Sequence, residues 1–270
     1  MPIIDSHVHV LPEYRPMAPF EDLGRVDRLL ALMDDAGVDR AVMVPVLGAD
    51  TPDNNDECAA WARQHPDRLI NLVALPLDAP DAAAQAARVR DAYGGAGVSW
   101  YPPQTDPAAL LQPAREPVWE ALQAESLVCS IQARPPLFAA LLELARRYPA
   151  ITFVGNHLGL PGEHLEPDDR TYGGLDAVGS LPNVYIKASG FYAAAAQQWD
   201  IRCPRSLAYL HSLITAVGAE RVLWGSDWPP CARHYTYRQS LEIVNTVAPL
   251  TATQRTLIMG VNAARIFGRG

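Results

Sequence analysis

The sequence is poor in the features that define secreted and membrane proteins. Only four cysteines occur in 270 residues, and they form no CxxC pair: Cys58, Cys129, Cys203 and Cys231. There is no basic, apolar leader of the signal-peptide kind and no run of about 18 apolar residues that would span a membrane. This composition excludes a disulfide framework and a membrane span, and we expect a reduced, cytoplasmic protein.

Positive charge is scarce relative to negative charge. The chain has 22 Lys and Arg against 30 Asp and Glu, which gives a formal net charge of −8. Nucleic acids and anionic membrane surfaces select basic patches, so neither is expected as a partner. We expect a small-molecule substrate that is anionic and is bound by local basic side chains. A homo-oligomer is compatible with the sequence but is not specified by it.

Short apolar runs alternate with amphipathic segments along nearly the whole chain. The predicted strands are Pro2–Asp5, Arg40–Val46, Leu69–Leu75, Gly97–Tyr101, Leu127–Gln132, Ile151–Gly155, Val184–Ala188 and Val222–Gly225. The predicted helices are Arg25–Ala36, Asn54–His65, Asp81–Tyr93, Glu116–Glu125, Pro136–Tyr148, Leu207–Val217, Arg238–Val247 and Thr253–Ile266. The weakest step lies between the sixth and seventh strands, where no helical pattern precedes Leu181.

Eight strands, most of them followed by a helix, predict parallel strands joined by right-handed crossovers. In a chain of this length they predict an α/β fold, a distorted (β/α)8 TIM barrel, as a single domain over residues 1–270. A doubly wound open sheet is the alternative, but no glycine-rich phosphate turn follows the first strand.

Two histidines follow the first apolar run. Side chains at i and i+2 of a strand share a face, so His7 and His9 can converge, with Asp5 one step behind them. Two such imidazoles suit either a metal ion such as zinc or a hydrogen bond to a substrate oxyanion. Two buried structural histidines are the alternative.

Other polar residues lie just after later strands, where barrel enzymes place their chemistry. His157 follows the sixth strand between glycines, and Asp227 follows the eighth. A carboxylate at such a position is either a catalytic base or the cap of a helix that would begin near Pro229.

Four segments together resemble a known superfamily. They are Asp5-x-His7-x-His9, Asn156-His157-Leu158-Gly159-x-Pro161, Asn183-Val184-Tyr185-Ile186-Lys187-x-Ser189-Gly190 and Trp224-Gly225-Ser226-Asp227-Trp228-Pro229. Their types and order are similar to those of the amidohydrolase superfamily, and more closely to its amidohydrolase-2 branch, which includes 2-pyrone-4,6-dicarboxylate lactonases and sugar lactonases. The resemblance implies a distorted barrel whose active centre is formed by four residues: His7, His9, His157 and Asp227.

Two departures from the superfamily pattern bear on metal binding. The metal-dependent members usually have a histidine after strand five, where this chain has Gln132; binuclear members have a bridging lysine or glutamate after strand four, where it has Trp100 and Tyr101. A two-metal site is therefore not expected. We expect either no cofactor or one divalent ion, zinc or manganese, with His7, His9 and Asp227 as its ligands.

The resemblance implies hydrolysis of a lactone or similar cyclic ester of a carboxylated small molecule. Asp227 would act as general base, and the three histidines would polarise the carbonyl. The expected substrate-binding residues are Tyr101, Gln132, Arg134, Tyr192, Trp228, Arg233 and His234. The alternatives are a metal-dependent decarboxylase or hydratase of an aromatic or dienoic acid, and a barrel that binds a ligand without catalysis.

Overall fold

Eight parallel strands in sequential order form the centre of the molecule. The computed structural model describes residues 1–17, 19–46, 54–104 and 106–268. The strands are β1 Ile4–Val8, β2 Arg40–Met43, β3 Leu69–Ala74, β4 Gly97–Trp100, β5 Val128–Ile131, β6 Thr152–Gly155, β7 Val184–Ala188 and β8 Val222–Trp224. A bridge between Val8 and Trp228 brings the two edges together, which confirms the predicted (β/α)8 barrel.

Helices flank the strands, because an amphipathic segment between parallel strands packs its apolar face back onto the sheet. The α-helices are α1 Val26–Ala36, α2 Asn55–Gln64, α3 Ala82–Ala86, α4 Val89–Tyr93, α5 Glu116–Ala124, α6 Phe138–Arg147, α7 Phe191–Ala194, α8 Pro204–Val217, α9 Tyr237–Glu242, α10 Ala252–Thr256 and α11 Asn262–Phe267. Single π-helical segments, Ile243–Val247 and Leu257–Val261, continue α9 and α10. No helix in the described ranges combines the length and the apolar character needed to cross a bilayer.

Short 3-10 helices occupy many of the connections. They are Arg15–Met17, Glu21–Gly24, Pro107–Leu111, Pro113–Arg115, Pro135–Leu137, His157–Gly159, Leu175–Ser180, Ala219–Arg221 and Pro230–Arg233. The connection from β6 to β7 has only His157–Gly159 and Leu175–Ser180, which agrees with the missing helical pattern before Leu181.

Several predicted element boundaries were wrong. The second strand ends at Met43, not Val46, and α8 begins at Pro204, not Leu207. The first strand is Ile4–Val8, not Pro2–Asp5, because its ladder with β2 continues past the polar residues to Val8 and Met43. The predicted helix Asp81–Tyr93 is two short helices, α3 and α4.

Side-chain alternation along the strands builds a polar layer at one end of the barrel interior. Val128, Val154 and Tyr185 belong to one buried apolar cluster, together with Ile266 and Phe267 of α11. Residues two positions further on share their face, so the next interior layer contains Ser130, Asn156 and Lys187. All three of these polar side chains are fully buried.

Candidate active site

Three histidines and one aspartate meet at the carboxyl end of the barrel. His7 lies in β1 and His9 just after it, His157 follows β6, and Asp227 follows β8. Oδ1 of Asp227 lies 3.6 Å from His7 Nε2 and 3.5 Å from His9 Nε2, and its Oδ2 lies 3.9 Å from His157 Nδ1. Residues separated by more than 200 positions therefore form one cluster.

Backbone pairing between the first and last strands places Asp227 against the histidines. The Asp227 N–H donates to the His7 carbonyl at 2.9 Å, and the His9 N–H donates to the Trp228 carbonyl at 2.7 Å. A side chain at position 225 would not fit, because a Cβ on Gly225 would lie 2.9 Å from the His7 Cβ. Gly225 thus lets the strand that leads to Asp227 approach His7.

The backbone at the two site loops adopts a costly conformation. His157 and Asp227 have φ angles of 54° and 59°, in the left-handed region that residues with side chains rarely adopt. Such residues cost of order 1–3 kcal/mol each and concentrate at functional sites. This cost supports a functional interpretation of both residues.

The Asp227 carboxylate caps no helix. Pro229, not Asp227, occupies the capping position of the 3-10 helix Pro230–Arg233, and no side chain caps that helix. The carboxylate instead accepts a hydrogen bond from the Tyr192 hydroxyl at 2.5 Å. The alternative that Asp227 is a helix cap is therefore wrong.

The imidazole rings of His9 and His157 are each fixed by a further polar contact. His9 Nδ1 lies 2.8 Å from the Val44 carbonyl, and His157 Nδ1 lies 3.0 Å from the Ser189 hydroxyl. Because these contacts fix the ring planes, the rings need no reorganisation when a ligand arrives.

A buried lysine lies directly behind His7. Lys187 Nζ is 3.1 Å from His7 Nδ1 and donates to the Ser130 hydroxyl at 2.9 Å. Sequence reasoning placed Lys187 at the end of the seventh strand but did not include it among the site residues. The alternation of side chains along the strand could have identified Lys187 as an interior residue, because a lysine two positions after the inward-facing Tyr185 must also face the barrel interior.

Burial and neighbouring charges together shift the pKa values of this cluster. Burial and the charge of Lys187 hold the pKa of His7 well below its usual value, and burial also lowers the pKa of His157. Burial lowers the pKa of Lys187 to about 7, against the opposing effect of two aspartates. Burial alone would raise the pKa of Asp227, but His157, His9 and Tyr192 together hold it below its usual value.

Asp5 supports the first strand from below. Its Oδ1 accepts hydrogen bonds from the backbone N–H groups of Ser226 and His7, at 2.9 and 3.1 Å. Burial raises the pKa of Asp5 to about 6, although these hydrogen bonds oppose the increase. Asp5 thus joins the first and eighth strands.

The expected substrate-binding residues lie in different environments. Tyr192 contacts Asp227 and stacks on His234 with ring centroids 4.4 Å apart. Trp228 is fully buried, so its contact with a substrate stays a prediction. Tyr101 is 42% exposed, but burial of its hydroxyl and, second to it, the charge of Asp227 raise its pKa.

The loops after β4 and β5 are joined by one side chain. The Gln104 amide donates to the Gln132 carbonyl at 2.8 Å, and its oxygen accepts from the Arg134 N–H at 3.1 Å. Gln132 is half-buried and Arg134 exposed. On the far side of the site, Arg233 lies near enough to lower the pKa of His234, after the larger effect of burial.

A cavity of about 280 Å³ opens beside His157. Its lining is Arg134, His157, Leu160, Pro161, Gly162, Glu163, His164, Ala193 and Ala194. A larger cavity of about 510 Å³ lies at the opposite end, around Val128, Thr152 and Tyr185, away from the histidine cluster. Because barrel enzymes work at the carboxyl ends of their strands, the smaller cavity is the candidate substrate pocket.

The distances in the cluster accommodate a single metal ion. His7 Nε2, His9 Nε2 and Asp227 Oδ1 form a triangle with edges of 3.2, 3.5 and 3.6 Å. Two ligands at 2.0–2.1 Å from a tetrahedral zinc ion lie roughly 3.3 Å apart, so the triangle fits one ion. His157 is a further donor, since His7, His157 and Asp227 each offer a ligand atom within 4.8 Å of the others.

Comparison with known proteins gives one matching family model and two similar lactonases. A family model described as amidohydrolase matches residues 4–269. An L-fucono-1,5-lactonase of Burkholderia ambifaria is 32% identical over 117 residues, 43% of this chain and 40% of that protein. A second, from Burkholderia multivorans, is 29% identical over 197 residues, 69% of this chain and 60% of that protein. The aligned region thus spans less than two thirds of either relative.

Solved structures share the fold at low identity. A protein described as a 2-pyrone-4,6-dicarboxylic acid hydrolase from Pseudomonas putida has a TM-score of 0.80 and 22% identity over 99% of this chain and 97% of its own. A zinc-bound amidohydrolase from Burkholderia multivorans has a TM-score of 0.77 and 22% identity over 99% of each chain. A manganese-bound dihydroxybenzoic acid decarboxylase from Polaromonas has a TM-score of 0.71 and 18% identity over 99% of this chain and 97% of its own.

Proposed function

This chain belongs to the amidohydrolase family, and we propose that it is a hydrolase that opens a lactone or similar cyclic ester of a small carboxylated molecule. The observation that carries the proposal is the approach of one carboxylate, Asp227, to three imidazoles at the carboxyl end of the barrel. The partial similarity to two L-fucono-1,5-lactonases supports lactones as the substrate class.

Asp227 is the general base in this proposal. Its pKa is held below the usual range, so the carboxylate is ionised at neutral pH and can accept a proton from water. Tyr192 occupies Oδ2, which leaves Oδ1, the oxygen that faces His7 and His9, for the water. After the water attacks the carbonyl carbon, Asp227 returns the proton to the leaving ring oxygen.

The histidines stabilise the negative charge that develops on the carbonyl oxygen. They are fixed by Val44, Ser189 and Lys187 and lie in a buried site, where hydrogen bonds to an oxyanion are strong. Loss of one such donor costs about 3–4 kcal/mol of transition-state stabilisation in enzymes that use this device.

The pocket beside His157 receives the rest of the substrate. Arg134 at its rim offers a planar guanidinium that pairs with a carboxylate through two hydrogen bonds. Arg233 and His234 approach the cluster from the other side, and the stacked pair of His234 and Tyr192 forms a wall there.

If a divalent ion is bound, His7, His9 and Asp227 would hold it, with His157 beside them. Such an ion supplies Lewis-acid polarisation of a carbonyl. The contacts of Tyr192, Lys187 and Ser189 with this cluster would still position the same side chains.

A second candidate is a metal-dependent decarboxylase or hydratase of an aromatic or dienoic acid. The triangle of ligand atoms that fits one ion favours it. The two candidates differ in metal content: stoichiometric zinc or manganese, with activity lost to a chelator, would favour the decarboxylase.

The test is hydrolysis of a panel of lactones, with L-fucono-1,5-lactone and a carboxylated pyrone as the first substrates. Turnover is measured through the proton that hydrolysis releases. Asp227→Asn should abolish turnover and leave the thermal unfolding transition close to that of wild type. Asp78→Asn, an exposed carboxylate in the loop after β3, is the matched control and should keep full activity. Near-normal turnover in Asp227→Asn, or no hydrolysis of any lactone by wild type, would contradict the proposal.

A further inference from the structure

Two adjoining cavities lie at the amino-terminal end of the barrel, opposite the histidine cluster. The first, of about 510 Å³, includes Val128, the first residue of β5. The second, of about 480 Å³, includes Arg40, the first residue of β2. Three residues line both cavities: Arg90, Ala96 and Phe267. Each cavity is larger than the candidate substrate pocket of about 280 Å³, so this end of the barrel has room for a small molecule.

The walls of these cavities carry unneutralised positive charge. In the part of the chain that the structure describes, four arginines and no carboxylate line them: Arg40, Arg63, Arg90 and Arg265. This is unexpected in a chain with 30 acidic and 22 basic residues. Among the described residues, no carboxylate oxygen lies within 4.0 Å of a side-chain nitrogen of Arg40, Arg63 or Arg265. Like charges repel, so an anion bound between them would offset that repulsion.

Arg90 is fixed where the two cavities adjoin. Its Nε and Nη2 donate to the Glu125 carbonyl at 3.2 and 3.0 Å, and its Nε lies 3.9 Å from the Glu125 carboxylate. Its Nη1 makes no hydrogen bond to a described residue. Because one edge of the guanidinium is already held, its remaining N–H groups can bind an anion with little further loss of side-chain freedom.

Two buried polar atoms on the wall of the second cavity have no hydrogen-bond partner among the described residues. Asn71 is 1% exposed; its amide nitrogen donates to the Tyr93 carbonyl at 3.3 Å, but its Oδ1 accepts no hydrogen bond. The Nε of Arg40 is also buried and donates to no acceptor. Buried polar groups are normally paired. A ligand that brings both an acceptor and a hydroxyl donor therefore suits this wall.

We propose that the adjoining cavities form a second ligand site, which binds a hydroxy acid: a small organic molecule with a carboxylate, an apolar body and a hydroxyl group. The guanidinium groups of Arg90 and Arg40 pair with the carboxylate, and Asn71 Oδ1 accepts a hydrogen bond from the hydroxyl. Phe267, which is buried and lines both cavities, packs against the apolar body. Because barrel enzymes carry out their chemistry at the other end, this site binds its ligand without catalysis.

Hydrolysis of a lactone produces this class of molecule. Water adds to the carbonyl carbon and the ring C–O bond breaks. The ring oxygen then becomes a hydroxyl, the carbonyl carbon becomes a carboxylate, and one proton is released. The second site thus fits the product class of the proposed reaction. This link rests on the proposed function, whereas the binding itself does not.

The first test locates the ligand in the wild-type protein. Crystals soaked in 6-hydroxyhexanoate, the product of opening ε-caprolactone, should show its carboxylate beside Arg90 and its hydroxyl beside Asn71. Binding only in the pocket beside His157, or binding at neither place, would overturn the proposal. This measurement needs neither turnover nor a variant.

The second test measures binding of 6-hydroxyhexanoate by calorimetry. Arg90→Gln and Arg40→Gln each remove one guanidinium and should raise the dissociation constant at least about tenfold, because hydrogen bonds to charged groups are strong. Arg146→Gln, the matched control, changes an exposed arginine of α6 and should leave the constant within about twofold of wild type. An unchanged constant in folded Arg90→Gln and Arg40→Gln would contradict the proposal.

A further variant blocks the site without removing charge. Ala96 lines both cavities, so the larger side chain of Ala96→Leu would occupy the space where they adjoin. It should also weaken binding at least about tenfold, since overlap with a buried side chain is costly. Binding that is lost in Arg134→Ala but retained in Ala96→Leu would place the ligand in the substrate pocket and overturn the proposal.

Two analogues test which groups of the ligand are recognised. Hexanoate lacks the hydroxyl, and 1,6-hexanediol lacks the carboxylate. Each should bind at least about fivefold more weakly than 6-hydroxyhexanoate, because each leaves a polar group of the site without its partner. Equal binding of either analogue would contradict the recognition of the group that it lacks.

These measurements separate the second site from the proposed function. If wild type hydrolyses lactones but binds no 6-hydroxyhexanoate at the amino-terminal end, the second site is wrong and the proposed function stands. If 6-hydroxyhexanoate binds there as expected but no lactone is hydrolysed, the proposed function fails alone.

Discussion

The hydroxyl of Tyr192 donates to Oδ2 of Asp227 across 2.5 Å, while its ring stacks on His234. Tyr192 lies in α7, directly after β7, and Asp227 follows β8, so adjacent strands bring the two side chains together. The contact orients the carboxylate and directs its other oxygen toward His7 and His9.

Tyr192→Phe should shift the pH–rate profile. The Tyr192 hydrogen bond is one of the contacts that hold the pKa of Asp227 below its usual value, so its loss raises that pKa. The acid limb of kcat/KM should move to higher pH, and kcat should fall about tenfold as the carboxylate loses its orientation. Tyr93→Phe, at the opposite end of the barrel, should leave the profile unchanged, and an unshifted acid limb in Tyr192→Phe would contradict the predicted role.

Gly190→Ala should impair catalysis through His157. Gly190 has a φ of 60°, and a Cβ there would lie 2.8 Å from His157 Nδ1, so the imidazole must move away from Ser189 and Asp227. We expect kcat to fall at least about tenfold, since small displacements of catalytic groups are costly. Gly94→Ala is the control, because Gly94 has a similar φ of 58° and open space around it. It should lose about 1 kcal/mol of stability and keep its kcat, whereas equal loss of activity in both variants would point to strain alone.

The architecture was predictable from local patterns. Apolar runs such as Leu69–Ala74 alternate with amphipathic segments such as Val26–Ala36, and a chain with this alternation has few topologies open to it. Because His157 and Asp227 each come just after a predicted strand, the sequence also placed them at the same end of the barrel. In the structure, His157 Nδ1 lies 3.9 Å from Asp227 Oδ2.

Contacts among distant residues were not predictable to the same degree. The pairing of Lys187 with His7 joins residues 180 positions apart, and no local pattern specifies that distance. The buried state of Trp228 likewise depends on how β1 and β8 meet, since its carbonyl pairs with His9.

Lys187 should make the stability of the protein depend on pH. Burial lowers its pKa to about 7, so between pH 7 and about 10 the unfolded chain binds a proton that the folded chain has lost. The free energy of unfolding of wild type should therefore increase with pH relative to Lys187→Met, by at most about 1.4 kcal/mol per pH unit. Urea unfolding at pH 6.5, 7.5 and 8.5 measures this difference. Parallel pH dependences of the two proteins would contradict the lowered pKa.

Arg134→Ala should distinguish carboxylated from neutral lactones. Arg134 lines the cavity beside His157, and a charge-assisted hydrogen bond to a substrate carboxylate contributes about 1.5–3 kcal/mol. The KM for a carboxylated lactone should therefore increase roughly 10- to 100-fold, while the KM for a neutral sugar lactone should change less than about threefold. Arg146→Ala, on the outer face of α6, should change neither KM, because Arg146 is exposed and pairs only with Glu143 among the described residues. An equal increase for both substrate types would show that Arg134 shapes the pocket and does not bind a carboxylate.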